Sequence, residues 1–186
     1  MDELDLKILR QLQTNGRVSI TDLAKEVGSS RPTITNRLRR LLDERLAVVQ
    51  GGLNLSKMGF KMACVGLEVK NDETRIDLEE ILKSCPRVLN VFRTHEKANI
   101  HLAIWGEQDQ TINSTVESFR DIANVDIVYS HYLGTPIQGD ITFTVGTNSL
   151  EKAPCGLTCS KCTRYEKEWC LGCPATIDYK NVLTED

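Results

Sequence analysis

No stretch of this chain approaches the roughly 18 consecutive apolar residues that a membrane-spanning helix requires, which excludes an integral helical membrane protein. The opening residues, MDELDLKILR, are charged from the second position and lack the apolar segment of an export signal, so the expected location is the cytoplasm. A positive charge excess is missing too. The chain carries 23 Lys and Arg against 26 Asp and Glu, a net −3, so any affinity for nucleic acid must reside in a local patch. Serine-histidine-acid sets, phosphate-cradling glycine loops and paired carboxylates do not emerge either, which argues against an enzyme. Cysteine is scarce until late: Cys64 and Cys85 stand alone before the tail, and the other five of seven crowd into residues 155–173.

What is present is a foldable composition, 40% apolar and 26% charged, in 186 residues, enough for one or two compact domains and an appendage. The first part reads as helices. DELDLKILRQLQTNG sets Leu4, Ile8, Leu9 and Leu12 on one stripe and stops at Gly16. SITDLAKEVG starts with Ser19 three residues before Asp22, a capping-box-like pattern, and ends at Gly28. SSRPTITNRLRRLLDE offers Ser30 as a cap and Pro32 in the first turn, with Ile34, Leu38, Leu41 and Leu42 on a common side. Three short helices with a tight turn at Gly28 make a helix-turn-helix.

Beyond residue 45 the pattern changes. LAVVQGGLNL reads as an extended wing or linker. Then KMACVGLEVK (strand), TRIDLEEILKSC (helix), RVLNVFRTHE (strand), ANIHLAIWGE (strand), QTINSTVESFRDIA (helix) and VDIVYSHYLG (strand) follow. This is the β-α-β-β-α-β order of a ferredoxin-like domain, with DITFTVG as a last strand before the polar hinge TNSLEKAP. The expected class is α+β: a winged helix-turn-helix over 1–45, a wing or linker over 46–59, a ferredoxin-like domain over 60–148 and a small cysteine-rich module over 149–186.

On a helical wheel of residues 31–42 the leucine and isoleucine side turns inward, and Pro32, Thr35, Asn36, Arg39 and Arg40 point away. Four arginines fall between 31 and 40 with no acid among them. Guanidinium groups neutralise phosphates and can grip guanine bidentately, and asparagine can do the same for adenine. The N-terminal half of such a helix enters the major groove, so Arg31, Thr33, Thr35 and Asn36, with Pro32 beside them, are the candidates nearest the bases. Arg39 and Arg40 are placed for phosphate. A charge run alone is more often a solvated face, but here caps, glycine turn and charge segregation agree.

The stretch DLKILRQLQTNGRVSITDLAKEVGSSRPTITNRLRRL resembles the helix-turn-helix of the Lrp/AsnC family of transcriptional regulators in its D-x-x-IL start, its NGR, its LA-x-x-VG and its S-R-P-T opening. The β-α-β-β-α-β order is similar to that family's effector and oligomerisation domain, and the likeness spans roughly residues 1–148. The resemblance implies a regulator of double-stranded DNA that forms a homodimer, and in some assemblies a tetramer or octamer, through the sheet of the second domain, and reads palindromic half-sites. It also implies an amino acid as effector, bound between protomers. The chain departs from the pattern twice. Arg45 stands near a place where the family has glycine. In THEKANIHLAIW, Asn99 stands near an aspartate's position, so an acidic partner for an effector's ammonium group is missing, and the effector site is left unassigned.

The tail spacing is Cys155-x3-Cys159-x2-Cys162-x7-Cys170-x2-Cys173. Two C-x2-C pairs can converge on one ion in a tetrahedral S4 site, and Gly156 and Gly172 allow the turns. Disulfides and idle thiols are the weaker alternatives in a reducing compartment. A segment this short and polar is expected to draw its folding energy from metal, about 10 kcal/mol for a structural zinc. The paired knuckles favour zinc. The fifth cysteine, the C-x3-C-x2-C opening and the final Cys-Pro favour a [4Fe-4S] cluster. An iron-sulfur centre would make the tail responsive to redox or metal status. Cys64 and Cys85 read as small buried hydrophobes without a role. His95, His101 and His131 are too scattered to form a ligand group. Trp169 is expected to pack over the metal knuckle. Two rival functions remain: an enzyme on a related fold, such as a siroheme-type decarboxylase, would not need an arginine-rich third helix, and a DNA-packaging protein would bind through phosphates alone, with little sequence preference.

Overall fold

The computed structural model describes residues 1–183 and divides into two compact units, Met1–Gly51 and one that runs from Gly52 onward. The first holds α1 (Glu3–Thr14), α2 (Ile20–Val27) and α3 (Arg31–Asp43). Its core is Ile8, Leu23, Ala24, Ile34 and Leu41, all buried, with Leu4, Leu9, Leu12 and Leu38 packed around them. Each helix starts on the cap its sequence offers. Asp2 and Asp5 form a reciprocal capping box at α1, Ser19 accepts from the Asp22 amide, and Ser30 accepts from the Thr33 amide. Gly28 ends α2 in the left-handed conformation, φ +71°, that turns the chain into α3.

The second unit is built on a four-stranded antiparallel sheet of order β3-β4-β2-β5, from β2 (Lys61–Val69), β3 (Val88–Arg93), β4 (Ile100–Gly106) and β5 (Val125–Leu133). Helices α4 (Asp72–Ser84) and α5 (Asp109–Arg120) are the crossovers of the expected ferredoxin-like order. Alternation along the strands decides the faces. Ala63, Val65 and Leu67 of β2 and Ile100, Leu102 and Ile104 of β4 join Leu78, Leu82, Ile112 and Phe119 of the helices in one core. Cys64, Gly66, His101, Tyr129 and His131 fall on the opposite face by the same alternation.

The segment read as a wing holds one short strand, β1 (Leu53–Asn54), paired with β6 (Thr142–Phe143) in the second unit rather than with a hairpin partner of its own. Beside it Phe60, Trp105 and Phe143 stack at centroid distances of 5.5 Å and 4.3 Å, closing one end of the sheet. The cysteine-rich stretch contains a 3-10 turn (Cys159–Lys161) and the four-residue helix α6 (Thr163–Glu166). It belongs to the second unit and packs on its helices. Ser114 of α5 donates to the Trp169 carbonyl at 2.8 Å, Arg164 pairs with Asp121 at 2.6 Å, and Leu150 bridges Thr176.

Candidate nucleic-acid interface and cysteine cavity

On α3 the Ser30 cap and Pro32 at the first turn fix where the helix begins, and Ile34 and Leu41 anchor its inner face. Arg31, Pro32, Asn36 and Arg39 are exposed, and Thr33 and Thr35 are half-buried. Thr33 shares a hydroxyl contact with Ser30 at 2.8 Å, and Thr35 turns its hydroxyl back to the Arg31 carbonyl at 2.9 Å. Arg31, Asn36 and Arg39 make no side-chain hydrogen bond or ion pair among the described residues, so their donors are free.

Arg40 stands differently. Its guanidinium pairs with the fully buried Asp5 carboxylate, and Arg37 pairs with Asp5 at 3.3 Å and with Asp2 at 2.5 Å. Two of the four arginines are thus tied to the start of α1, which changes the expectation that Arg40 is free for phosphate. Burial pushes the Asp5 carboxyl up, but the Asp2 amide and the two guanidinium groups push it down further, so it lies below the ordinary range. Sequence reasoning missed this bolt. Its only trace is an aspartate pair one helical turn apart at the head of α1.

The second candidate is the tail. Cys155, Cys159, Cys162, Cys170 and Cys173 all line one cavity of about 100 Å³ between the tail and the ends of α4 and α5. Cys85, read from sequence as a role-free hydrophobe, lines the same cavity from the C-cap of α4. Among the described residues no three of His, Cys, Asp or Glu come together closely enough to hold one metal ion. The Cys173 amide donates to the Cys159 sulfur at 3.4 Å. Gly172 adopts φ +91°, and a Cβ there would lie 3.0 Å from the Asp178 carbonyl oxygen, so the turn of the second pair needs glycine. Burial pushes the Cys85 and Cys170 thiols up and takes Cys173 to about 12, which keeps them protonated unless an electrophile displaces the proton. Trp169 does not line the cavity. It is exposed, stacks with the Lys167 ammonium at 4.8 Å and flanks a separate groove beside α5, because its backbone is drawn to Ser114 and its ring turns outward.

One wall is charged. Arg87 is 5% exposed, pairs with the equally buried Glu107 at 2.9 Å, and donates to the Gly172 carbonyl at 2.7 Å. Tyr179 donates to Glu107 at 2.6 Å, and burial with that carboxylate pushes the phenol up. The guanidinium also lies 5.3 Å from the centre of the Trp105 ring. One ion pair therefore joins the sheet end, the cavity and the tail.

One further sequence reading changes, on a face where His101 and His131, read as too scattered to form a ligand group, flank Tyr129: His101 Nδ1 meets the Tyr129 hydroxyl, and the His131 ring stacks on Tyr129 at 5.0 Å. The Cys64 sulfur lies 3.8 Å from the same hydroxyl, so Cys64 is half-buried on the sheet's other face rather than a core residue. His95 is exposed and apart from them. Asn99, at the position where an effector-binding acid is missing, spends both amide atoms on Val69, accepting from its amide at 3.0 Å and donating to its carbonyl at 2.9 Å.

Comparison with known proteins bears on the helix-turn-helix and the domain that follows it. A family model, the AsnC-type helix-turn-helix domain, matches residues 1–42. The chain is 30% identical over 135 residues to a leucine-responsive regulatory protein of Rhizobium meliloti, covering 69% of this chain and 85% of that one. It is 30% identical over 129 residues to an uncharacterized HTH-type transcriptional regulator of Pyrococcus abyssi, covering 66% and 81%. Among solved structures, a transcriptional regulator of Neisseria meningitidis in complex with L-Met is similar with a TM-score of 0.66 at 21% identity, covering 78% of this chain and 97% of that one.

Proposed function

Because the chain belongs to the Lrp/AsnC family of transcriptional regulators, we propose that α3 is its reading helix and that the cysteine tail is a metal centre that modulates DNA binding. In this reading Arg31, Pro32, Thr33, Thr35 and Asn36 face base edges in the major groove, and Arg39 neutralises phosphate. Arg40 and Arg37 hold the helix at a fixed angle through Asp5 and Asp2. The observation that carries it is the division of labour on α3: Arg31, Asn36 and Arg39 project free donors while the other two arginines are bolted inside the unit. Two copies paired through the sheet would present two α3 helices to half-sites about 34 Å apart.

Footprinting at increasing salt tests this. Protected half-sites one helical turn apart that persist above the nonspecific background support a regulator. Uniform protection that vanishes steeply with salt would replace it with a packaging protein.

For the tail, the supporting observation is that all five cysteines line one cavity, with zinc or an iron-sulfur cluster as the candidate occupant. Loss of the metal would free the tail from the helices and change the affinity for DNA. Gel-shift titration before and after chelation reads this, and equal affinities would separate the tail from regulation. The effector reading follows from Asn99. With its amide spent on Val69, Asn99 offers no free acceptor to an ammonium group, so titration with L-methionine should give no saturable heat in the micromolar range.

A further inference from the structure

The cavity asks for more than one ion. Zinc draws four sulfurs to about 2.3 Å, which brings them within about 3.8 Å of one another and leaves no void between them. Here six cysteines line a space of about 100 Å³, where a single water needs about 10–15 Å³. Among the described residues no three of them close to single-ion distances. Six cysteines spread along one cavity wall fit an occupant with its own bulk, because in a polynuclear cluster iron and inorganic sulfide stand between the cysteine sulfurs.

The six include a thiol that the tail does not supply. Cys85 ends α4, two residues before the buried Arg87. Cys85, Cys155 and Cys173 line the same cavity, Cys85 from the end of α4 and the other two from the tail. The rest of the wall suits an anionic cluster. Leu82, Phe119 and Leu157 keep it apolar, Arg87 lines it while paired with Glu107, and the Cys173 amide donates to the Cys159 sulfur.

We propose that this cavity holds a [4Fe-4S]-class cluster and that Cys85, from the ferredoxin-like domain, is one of its thiolate ligands alongside cysteines of the tail. The inference rests on the metal-centre reading above and sharpens it: the cluster is a cross-link between α4 and the tail. Cys85 leads through Pro86 and Arg87 directly into β3, so assembly or loss of the cluster acts on the corner that sets an edge of the sheet.

The test uses the full chain purified without oxygen. Iron, acid-labile sulfide and zinc are measured alongside the visible spectrum and the electron paramagnetic resonance of the reduced protein. Iron and sulfide in near-equal amounts, with a broad band near ~400 nm, are expected. Cys85→Ser and Cys85→Ala should lose that band or change the resonance line shape, and Cys64→Ser, outside the cavity, should keep both. Stoichiometric zinc without sulfide overturns the inference. So do Cys85 variants that keep the wild-type band, iron content and line shape. The wild-type chain supplies a measurement independent of variant folding: chelation in the presence of iodoacetamide, with modified cysteines identified by mass spectrometry. Alkylation of Cys85 in step with the tail cysteines as the band decays supports ligation, whereas Cys85 modified before the decay, or still unreactive after it, overturns it. A wild-type chain that binds no metal at all removes the metal-centre reading itself and leaves DNA binding untouched.

Discussion

The proposed reading helix and the cysteine cavity assemble by opposite logics. On α3 the chemistry is consecutive: Arg31, Asn36 and Arg39 reach one surface because a helix repeats every 3.6 residues, and a cap and a proline fix where the count begins. The cavity gathers groups from residue 85 to residue 173, across the ends of α4 and α5 and the whole tail. Nothing local brings Cys85 and Cys173 to one cavity. That is accomplished by the Arg87–Glu107 pair, which binds the Gly172 carbonyl and the Tyr179 hydroxyl and so seats the tail on the sheet end. A surface made by periodicity survives small changes elsewhere. A site made by docking depends on its anchor.

The largest expected effect strikes that anchor. Glu107→Ala leaves Arg87 buried with its charge uncompensated, which typically costs about 3–5 kcal/mol. Urea unfolding followed by tryptophan fluorescence should show this loss in the second unit, where Trp105 lies against Arg87, while the helical signal of the first unit is unmoved. A loss under about 1 kcal/mol would mean the tail is seated by other contacts and the contrast is overstated.

The matching anchor in the first unit is Asp5. Asp5→Ala removes a capping-box acceptor and both arginine pairs and should cost about 2 kcal/mol. The sign with pH follows from its lowered carboxyl. The contribution is fully present above the unfolded value of about 4 and is lost as pH falls through the lower folded value, so the first unit should weaken below about pH 4. In Asp5→Ala that acid limb should flatten. An unchanged acid limb would show that Asp5 does not carry the shift.

The same contrast explains what the sequence made legible. The helices, their caps and the β-α-β-β-α-β order were readable because each rests on local periodicity or on a cap within three residues. That Arg31, Asn36 and Arg39 share the exposed side of α3 was legible for the same reason. The Asp5 tether, which takes Arg40 out of the free set, was not, since it joins residues more than thirty positions apart. The tail cysteines could be grouped by spacing, but Cys85 could not, because a lone cysteine at a helix end carries no mark of its distant partners. The Tyr129 hydroxyl, which gathers His101 and Cys64, depends on strand register, which sequence alone left open.

A smaller effect separates two adjacent arginines. Arg39→Ala should weaken DNA binding by about 1 kcal/mol across all sequences and lower the salt slope by about one, with stability unchanged, since Arg39 makes no internal contact among the described residues. Arg40→Ala should do the reverse: a loss of stability from the freed Asp5, with a salt slope near wild type. Gel-shift titrations over a salt series, alongside thermal melts, distinguish them. Equal salt slopes in the two variants would place Arg40 on the duplex after all.

The smallest effect tests local backbone rules at the end of α3. Arg45 is exposed and left-handed, φ +53°, a conformation that costs an L-residue about 1–2 kcal/mol. It stands near the place where the family's pattern has glycine, so the backbone keeps the turn and the side chain carries the strain. Glycine would relieve it while losing about 0.5–1 kcal/mol to greater freedom in the unfolded chain. The net for Arg45→Gly is a gain of about 0.5 kcal/mol, or a melting temperature higher by about 3 °C. Gly28→Ala is the mirror experiment. At φ +71° with no atom within 4 Å of the added Cβ, backbone strain of about 1–2 kcal/mol outweighs the about 0.5–1 kcal/mol gained from a less free unfolded chain, and a loss of about 0.5 kcal/mol is expected. Opposite signs in the two melts would mean that the turns of the reading unit are governed residue by residue. Like signs would mean that its helix ends are held, as the cavity is, by contacts from further along the chain.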